Sequence, residues 1–103
     1  MRDHQSIDRR SLALAQAIVA KIDANPMPGV HLALSNITRW CADHDVPCYL
    51  EWREILQRPW PEVRATLLDD TEEGRRLRQS NPFAGVLTPH ERWAIYRSFD
   101  EAS

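Results

Sequence analysis

Three residues near the middle of this chain have side chains that can hold a metal ion or form a nucleophile pair: Cys41, His44 and Cys48. Cys41 and His44 stand three apart, a spacing that lets both reach one face at a helix end. A structural zinc site takes four ligands in paired motifs, and here the fourth must be a distant His4, His31 or His90. Cys41 also falls on an apolar helical stripe, where a buried free thiol is the ordinary outcome. A Cys/His catalytic pair needs an oxyanion-stabilising loop and a third orienting group, and the sequence offers neither. Core packing is the expectation for Cys41, with no metal and no cofactor.

Charged residues concentrate in Asp69-Asp-Thr-Glu-Glu-Gly-Arg-Arg-Leu-Arg78. The four carboxylates at Asp69, Asp70, Glu72 and Glu73 are hard-cation ligands in principle. Acids leading bases, however, describe a solvated helix that pairs with itself and suits its own dipole. Arg75, Arg76 and Arg78, with Arg64 nearby, form the one basic cluster. It can grip nucleic-acid phosphates or an acidic protein surface, unless Glu72 and Glu73 neutralise it at helical spacing. With three glycines in all, a glycine-rich phosphate cradle is absent, and neither His-Glu-x-x-His nor Gly-x-Ser-x-Gly occurs. An enzyme is not expected.

Aromatic residues offer a different kind of site. Trp40 and Trp52 lie in phase with apolar helical stripes and belong in the core. Trp60, between two prolines, and Trp93, near the C-terminus, are less tied down, and tryptophan is enriched among interface anchors. In Asn81-Pro-Phe-Ala-Gly85, proline fixes its own φ, glycine permits a turn and Phe83 is a hydrophobic anchor between them. Such a loop either docks a partner at low entropic cost or folds Phe83 back as a staple for the terminal helix.

The elements that must position these residues are all helical. Apolar periodicity and proline or glycine breaks predict helices at about 6–24, 30–43, 48–57, 61–68, 70–79 and 88–99. The first carries Ile7, Ser11, Leu14, Ala15, Ile18 and Ile22 on one face. The second carries Val30, Ala33, Leu34, Ile37, Trp40 and Cys41, and its short link to the first favours an antiparallel hairpin. Asp70 with Glu73, and Thr88 with Glu91, have capping-box spacing. The fifth helix has only Leu77 as a clear apolar residue and is expected on the surface. The expected core is Leu14, Ile18, Ile22, Leu34, Ile37, Trp40 and Trp52, in a single all-α domain spanning residues 1–103.

Composition agrees with a globular chain: 103 residues, 43% hydrophobic, 27% charged. A net charge of −2 supplies no global basic field for nucleic acid or acidic membranes. No apolar run approaches the roughly 20 residues of a spanning helix. Two cysteines and a polar N-terminus point to the cytoplasm.

The stretch Leu77-Arg-Gln-Ser-Asn-Pro-Phe-Ala-Gly-Val-Leu-Thr-Pro-His-Glu-Arg-Trp-Ala-Ile-Tyr-Arg97 resembles the C-terminal signature of a group of small bacterial all-helical proteins, in which "LRQSSPFAGVLTPEERW" or a close variant ends the chain. Arg10-Ser-Leu-Ala-Leu-Ala-Gln-Ala-Ile-Val-Ala-Lys-Ile22, Asn36-Ile-Thr-Arg-Trp40 and Tyr49-Leu-Glu-Trp-Arg-Glu-Ile-Leu56 are similar to further blocks of that group. The chain departs from the pattern at Asn81, where serine is commoner, and in its Cys41–Asp45 link. The resemblance implies an antitoxin-like protein that binds a partner, such as a cognate toxin, without catalysis. The expected partner contacts are Arg76, Arg78, Phe83 and Trp93. The alternative is a nucleic-acid-associated regulator acting through Arg75, Arg76 and Arg78. Elemental analysis of protein purified without chelator is expected to find no stoichiometric zinc; about one zinc per chain, lost in Cys48→Ser, would overturn the reading of Cys41 and His44.

Overall fold

The computed structural model describes the backbone of residues 4–102 and the side chains of 7–99. Six helices follow one another: α1 (His4–Ile22), α2 (Met27–Trp40), α3 (Pro47–Ile55), α4 (Trp60–Leu68), α5 (Glu72–Arg78) and α6 (Pro89–Ala102). No strand occurs among the described residues, and the domain is all-α.

Prolines set several helix starts. Pro28, Pro47 and Pro61 each occupy one of the first two helical positions, where the missing N–H would have had no intrahelical partner. α2 therefore begins at Met27, three residues before the expected 30, because Pro26 and Pro28 flank a start rather than only ending α1. The capping box of α6 forms as its spacing predicts: Glu91 N donates to Thr88 Oγ1 at 3.1 Å, and Thr88 N donates to Glu91 Oε1 at 2.8 Å. The Asp70/Glu73 box does not form. Thr71 is the N-cap of α5, accepting from Gly74 N, while Asp69 Oδ1 receives the Thr71 N–H at 2.8 Å. The local Asp69–Thr71 turn captures the carboxylate-to-backbone bond first.

The short α5 keeps Glu72, Glu73 and Arg75 at the surface, as expected, but buries its other face. Gly74, Leu77 and Arg78 are all buried. An added Cβ at Gly74 would lie 2.0 Å from the Asp69 carbonyl oxygen, so only glycine lets α5 come this close to the end of α4.

α1 is the hub, packing on α4, α5 and α6, while α2 packs on α3 and α4 on α5. The expected α1–α2 hairpin is thus corrected: the two are not among the closely packed pairs. The 79–88 connector takes the place such a hairpin would fill. It bonds to Asn36 on α2 and lies beside Leu14 and Ile18 on α1.

The core combines Ala15, Ile18 and Val19 of α1, Val30, Ala33 and Ile37 of α2, and Trp52 and Ile55 of α3 with Val63, Leu67 and Leu77. Of the seven expected core residues, Ile18, Ile37 and Trp52 are buried. Leu14, Ile22, Leu34 and Trp40 pack half-buried against them. Ile7, at 48% exposure, lies outside the buried stripe assigned to it. Trp52 also donates its indole N–H to Leu77 O at 2.8 Å, closing the last turn of α5 from α3.

Three substitutions probe this packing by denaturant unfolding. Ile37→Ala is expected to cost about 2–5 kcal/mol, and the half-buried Leu34→Ala less. Gly74→Ala is expected to destabilise although alanine is intrinsically the better helix former by about 1 kcal/mol.

Candidate interaction surface

The sequence proposes four contact residues, and the structure separates them. Phe83 is 1% exposed, with Pro82, Val86 and Leu87 buried beside it, and its ring meets Trp60 edge-on at 6.5 Å. It is a core staple rather than a docking side chain. The local chemistry of the connector explains its inward turn. Asn81 Oδ1 accepts from Phe83 N at 2.9 Å, and Val86 N donates to Phe83 O at 3.2 Å across a tight turn. Gly85 stands at φ +93° in the third position of that turn, as a type II geometry requires.

Arg78 is also corrected. Its side chain is fully enclosed, so it offers no surface contact. Nε donates to Ser11 Oγ at 3.1 Å, Nη1 donates to Leu67 O at 3.2 Å and to Asp69 O, and Nη2 faces Asp70 Oδ1 at 3.9 Å. Leu67 sits at the C-terminal end of α4, where carbonyls lack intrahelical partners and the dipole favours a cation. Arg78 therefore caps the C-terminal carbonyls of α4, whose C-cap residue is Asp69, with a side chain delivered from α5 and steadied by α1. Burial pushes its pKa down, while Asp70, Asp69 and Asp8 oppose that shift.

The remaining arginines are engaged as well. Arg76 pairs with Glu73 and with Glu51 Oε2 at 2.9 Å, and these carboxylates raise its pKa. Arg75 approaches Asp70 at 3.5 Å and Asp8 at 3.9 Å. Of the two carboxylates the spacing suggested, Glu73 is a partner, of Arg76, and the others are Glu51, Asp70 and Asp8 rather than Glu72. The three arginines do not form one open basic face, because Arg78 points inward and the other two lie among acids.

Trp93, with the half-exposed Arg76, stays outside. The tryptophan is 62% exposed on α6 and meets Tyr96 edge-on at 6.3 Å, while Arg10 of α1 stacks over the Tyr96 ring at 5.0 Å. The start of α6 is firmly held. Lys21 of α1 bonds Glu91 at 2.6 Å in addition to the capping box. That pairing, first with Lys21 and then with the Thr88 N–H, holds the Glu91 carboxyl down at about 2. Beside α6 a groove of about 150 Å³ opens between α1, the connector and α6.

A residue absent from the expected set turns out to organise the region. Asn36 is buried, donates to Pro82 O at 2.8 Å and to Ala84 O at 2.9 Å, and accepts from Arg39. Its signal was an asparagine on the apolar face of a helix, where a carboxamide is unfavourable unless its bonds are made.

Cys41 and Cys48 are free and half-buried, and Cys41 packs against the core; the Cys48 sulfur lies 4.0 Å from Arg76 Nη1. Among the described residues no three His, Cys, Asp or Glu side chains are grouped to hold a metal. No described helix is long and apolar enough to cross a membrane. Comparison with family models, with curated proteins and with solved structures finds no match to this chain.

Asn36→Ala is expected to destabilise by about 1–3 kcal/mol, since it strands two loop carbonyls, while far-UV circular dichroism stays helical. A pH test follows from Glu91. Its depressed pKa means the carboxylate contributes stability above the ordinary glutamate value near 4.5, and that contribution disappears as pH falls through 4.5 toward 2. Wild type should therefore be more stable than Glu91→Ala at pH 6, with the gap narrowing across that acid window in thermal melts.

Proposed function

We propose that the chain is a non-enzymatic protein-binding module, antitoxin-like in action, that neutralises or regulates a partner protein in the bacterial cytoplasm through its C-terminal segment. The observation that carries this reading is Trp93. A large aromatic left mostly in water on a helix fixed at its start by a capping box and an interhelical ion pair has the character of a preorganised interface anchor. Arg76, half-exposed and flanked by Glu51 and Glu73, remains a peripheral contact, of the kind that adjusts association rate and salt dependence more than affinity. Arg78 and Phe83 act through the fold, holding the helices that present Trp93. The engagement of all three clustered arginines by acids or carbonyls speaks against a phosphate-gripping role.

The test is capture of the product of the neighbouring gene by the intact protein and by Trp93→Ala. Binding is expected to weaken by about tenfold or more, with the thermal midpoint unchanged, as for an exposed anchor. Unchanged capture in Trp93→Ala would remove α6 from the interface. Salt-sensitive binding to duplex DNA in place of protein capture would move the function to nucleic acid.

A further inference from the structure

The groove beside Trp93 has a definite construction. α1 and α6 run antiparallel, since Lys21 near the end of α1 pairs with Glu91 at the start of α6, and Arg10 near the other end of α1 covers Tyr96. The connector closes the third side. Leu14 and Ile18 come from α1, Phe83, Ala84 and Leu87 from the connector, and Arg92 and Tyr96 from α6. A volume of about 150 Å³ with aliphatic and aromatic walls is the size that holds a single benzene ring. It is well below the roughly 300 Å³ at which pockets for drug-sized ligands and cofactors begin. One apolar side chain fits.

Charge restricts what can carry that side chain. Among the residues lining the groove, Arg92 alone bears a full charge, and it is exposed. The neighbouring Glu91 carboxylate is committed to Lys21 and to the Thr88 N–H. Arg10 adds a second cation over the Tyr96 face. Trp93 lies three residues before Tyr96, about 60° round the helix, so it forms a rim against which the incoming chain can rest. An apolar hole with a cationic, aromatic rim complements an apolar anchor flanked by carboxylates and disfavours one flanked by lysines.

We propose that this groove is the anchor pocket for a partner segment presenting one phenylalanine or leucine between acidic residues. The proposal rests on the protein-binding reading above and names the partner chemistry at that surface. The connector is rigid where the anchor enters, because Asn36 and the turn at Gly85 hold Ala84 in place, so the pocket exists before binding.

The experiment is a backbone-amide NMR titration of the full chain with two short synthetic peptides, each with one central phenylalanine, flanked by glutamates in one and by lysines in the other. Shifts are expected at Ile18, Ala84, Gly85, Leu87 and Arg92. The glutamate peptide should bind about tenfold more tightly than the lysine peptide and lose about as much when its phenylalanine becomes alanine. The charge preference should vanish in Arg92→Glu. Ala84→Trp, at an exposed position on the groove wall, should fill the hole and abolish binding while the melting temperature holds. Equal affinity for the two peptides, no binding of either, shifts confined elsewhere, or binding that survives Ala84→Trp would each overturn the proposal. Capture of the neighbouring-gene product separates the two readings. If it falls in Trp93→Ala but survives Ala84→Trp, the groove is wrong and the protein-binding reading stands. If neither substitution affects it, the groove is wrong and α6 lies outside the interface; if the product is not captured at all, the protein-binding reading is wrong.

Discussion

A single buried carboxamide connects the two halves of this bundle. Asn36 spends both of its N–H donors on carbonyls of the connector, Pro82 and Ala84, and its oxygen on Arg39. Satisfied in this way, a polar side chain on an apolar helical face adds directionality that hydrophobic contact lacks. It sets where the connector sits against α2, and that decides where Phe83 enters the core. Phe83 in turn reaches Trp60, whose indole N–H bonds Asp23 at 2.7 Å just beyond the end of α1. Arg64 meets the second oxygen of Asp23 at 3.2 Å. The chain of contacts from α2 to α4 and the end of α1 thus runs through a segment with no regular secondary structure.

Arg78 performs the matching task on the other side of α1. A buried guanidinium is costly unless its donors are used, and here Nε and Nη1 go to a hydroxyl of α1 and to backbone carbonyls at and just past the end of α4, while Nη2 makes no hydrogen bond among the described residues and has only the Asp70 carboxylate at 3.9 Å. The carbonyls are the acceptors a helix C-terminus leaves open. The same side chain therefore ends α4, docks α5 and ties both to α1. Short helices such as α4 and α5 have little stability of their own, so tertiary caps of this kind, including Trp52 on Leu77 O, are what hold them.

Rigidity of the interior has a consequence at the surface. The terminal helix is anchored at its first turn by Thr88, Glu91 and Lys21 and farther on by the Arg10–Tyr96 stack. Trp93 and the rim of the neighbouring groove are then displayed on a frame that needs little ordering when a partner arrives, which lowers the entropic cost of association.

The sequence by itself determined the all-α class, the existence of six helices and the start of α6, because those signals act within a few residues. Proline positions, apolar periodicity and the Thr88/Glu91 pair operate at separations of one turn or less. It also left Trp93 outside the core-facing stripes, where the structure finds it. Only the tertiary structure decided that Phe83 and Arg78 turn inward, that Asn36 is the latch, and that the connector replaces an α1–α2 hairpin. Those outcomes depend on partners 46 residues away for Asn36–Pro82 and 67 for Ser11–Arg78. An arginine beside two others looks like a surface cluster until the unfilled carbonyls ending another helix come within its reach. No local pattern encodes that meeting, because it exists only once α1, α4 and α5 have packed.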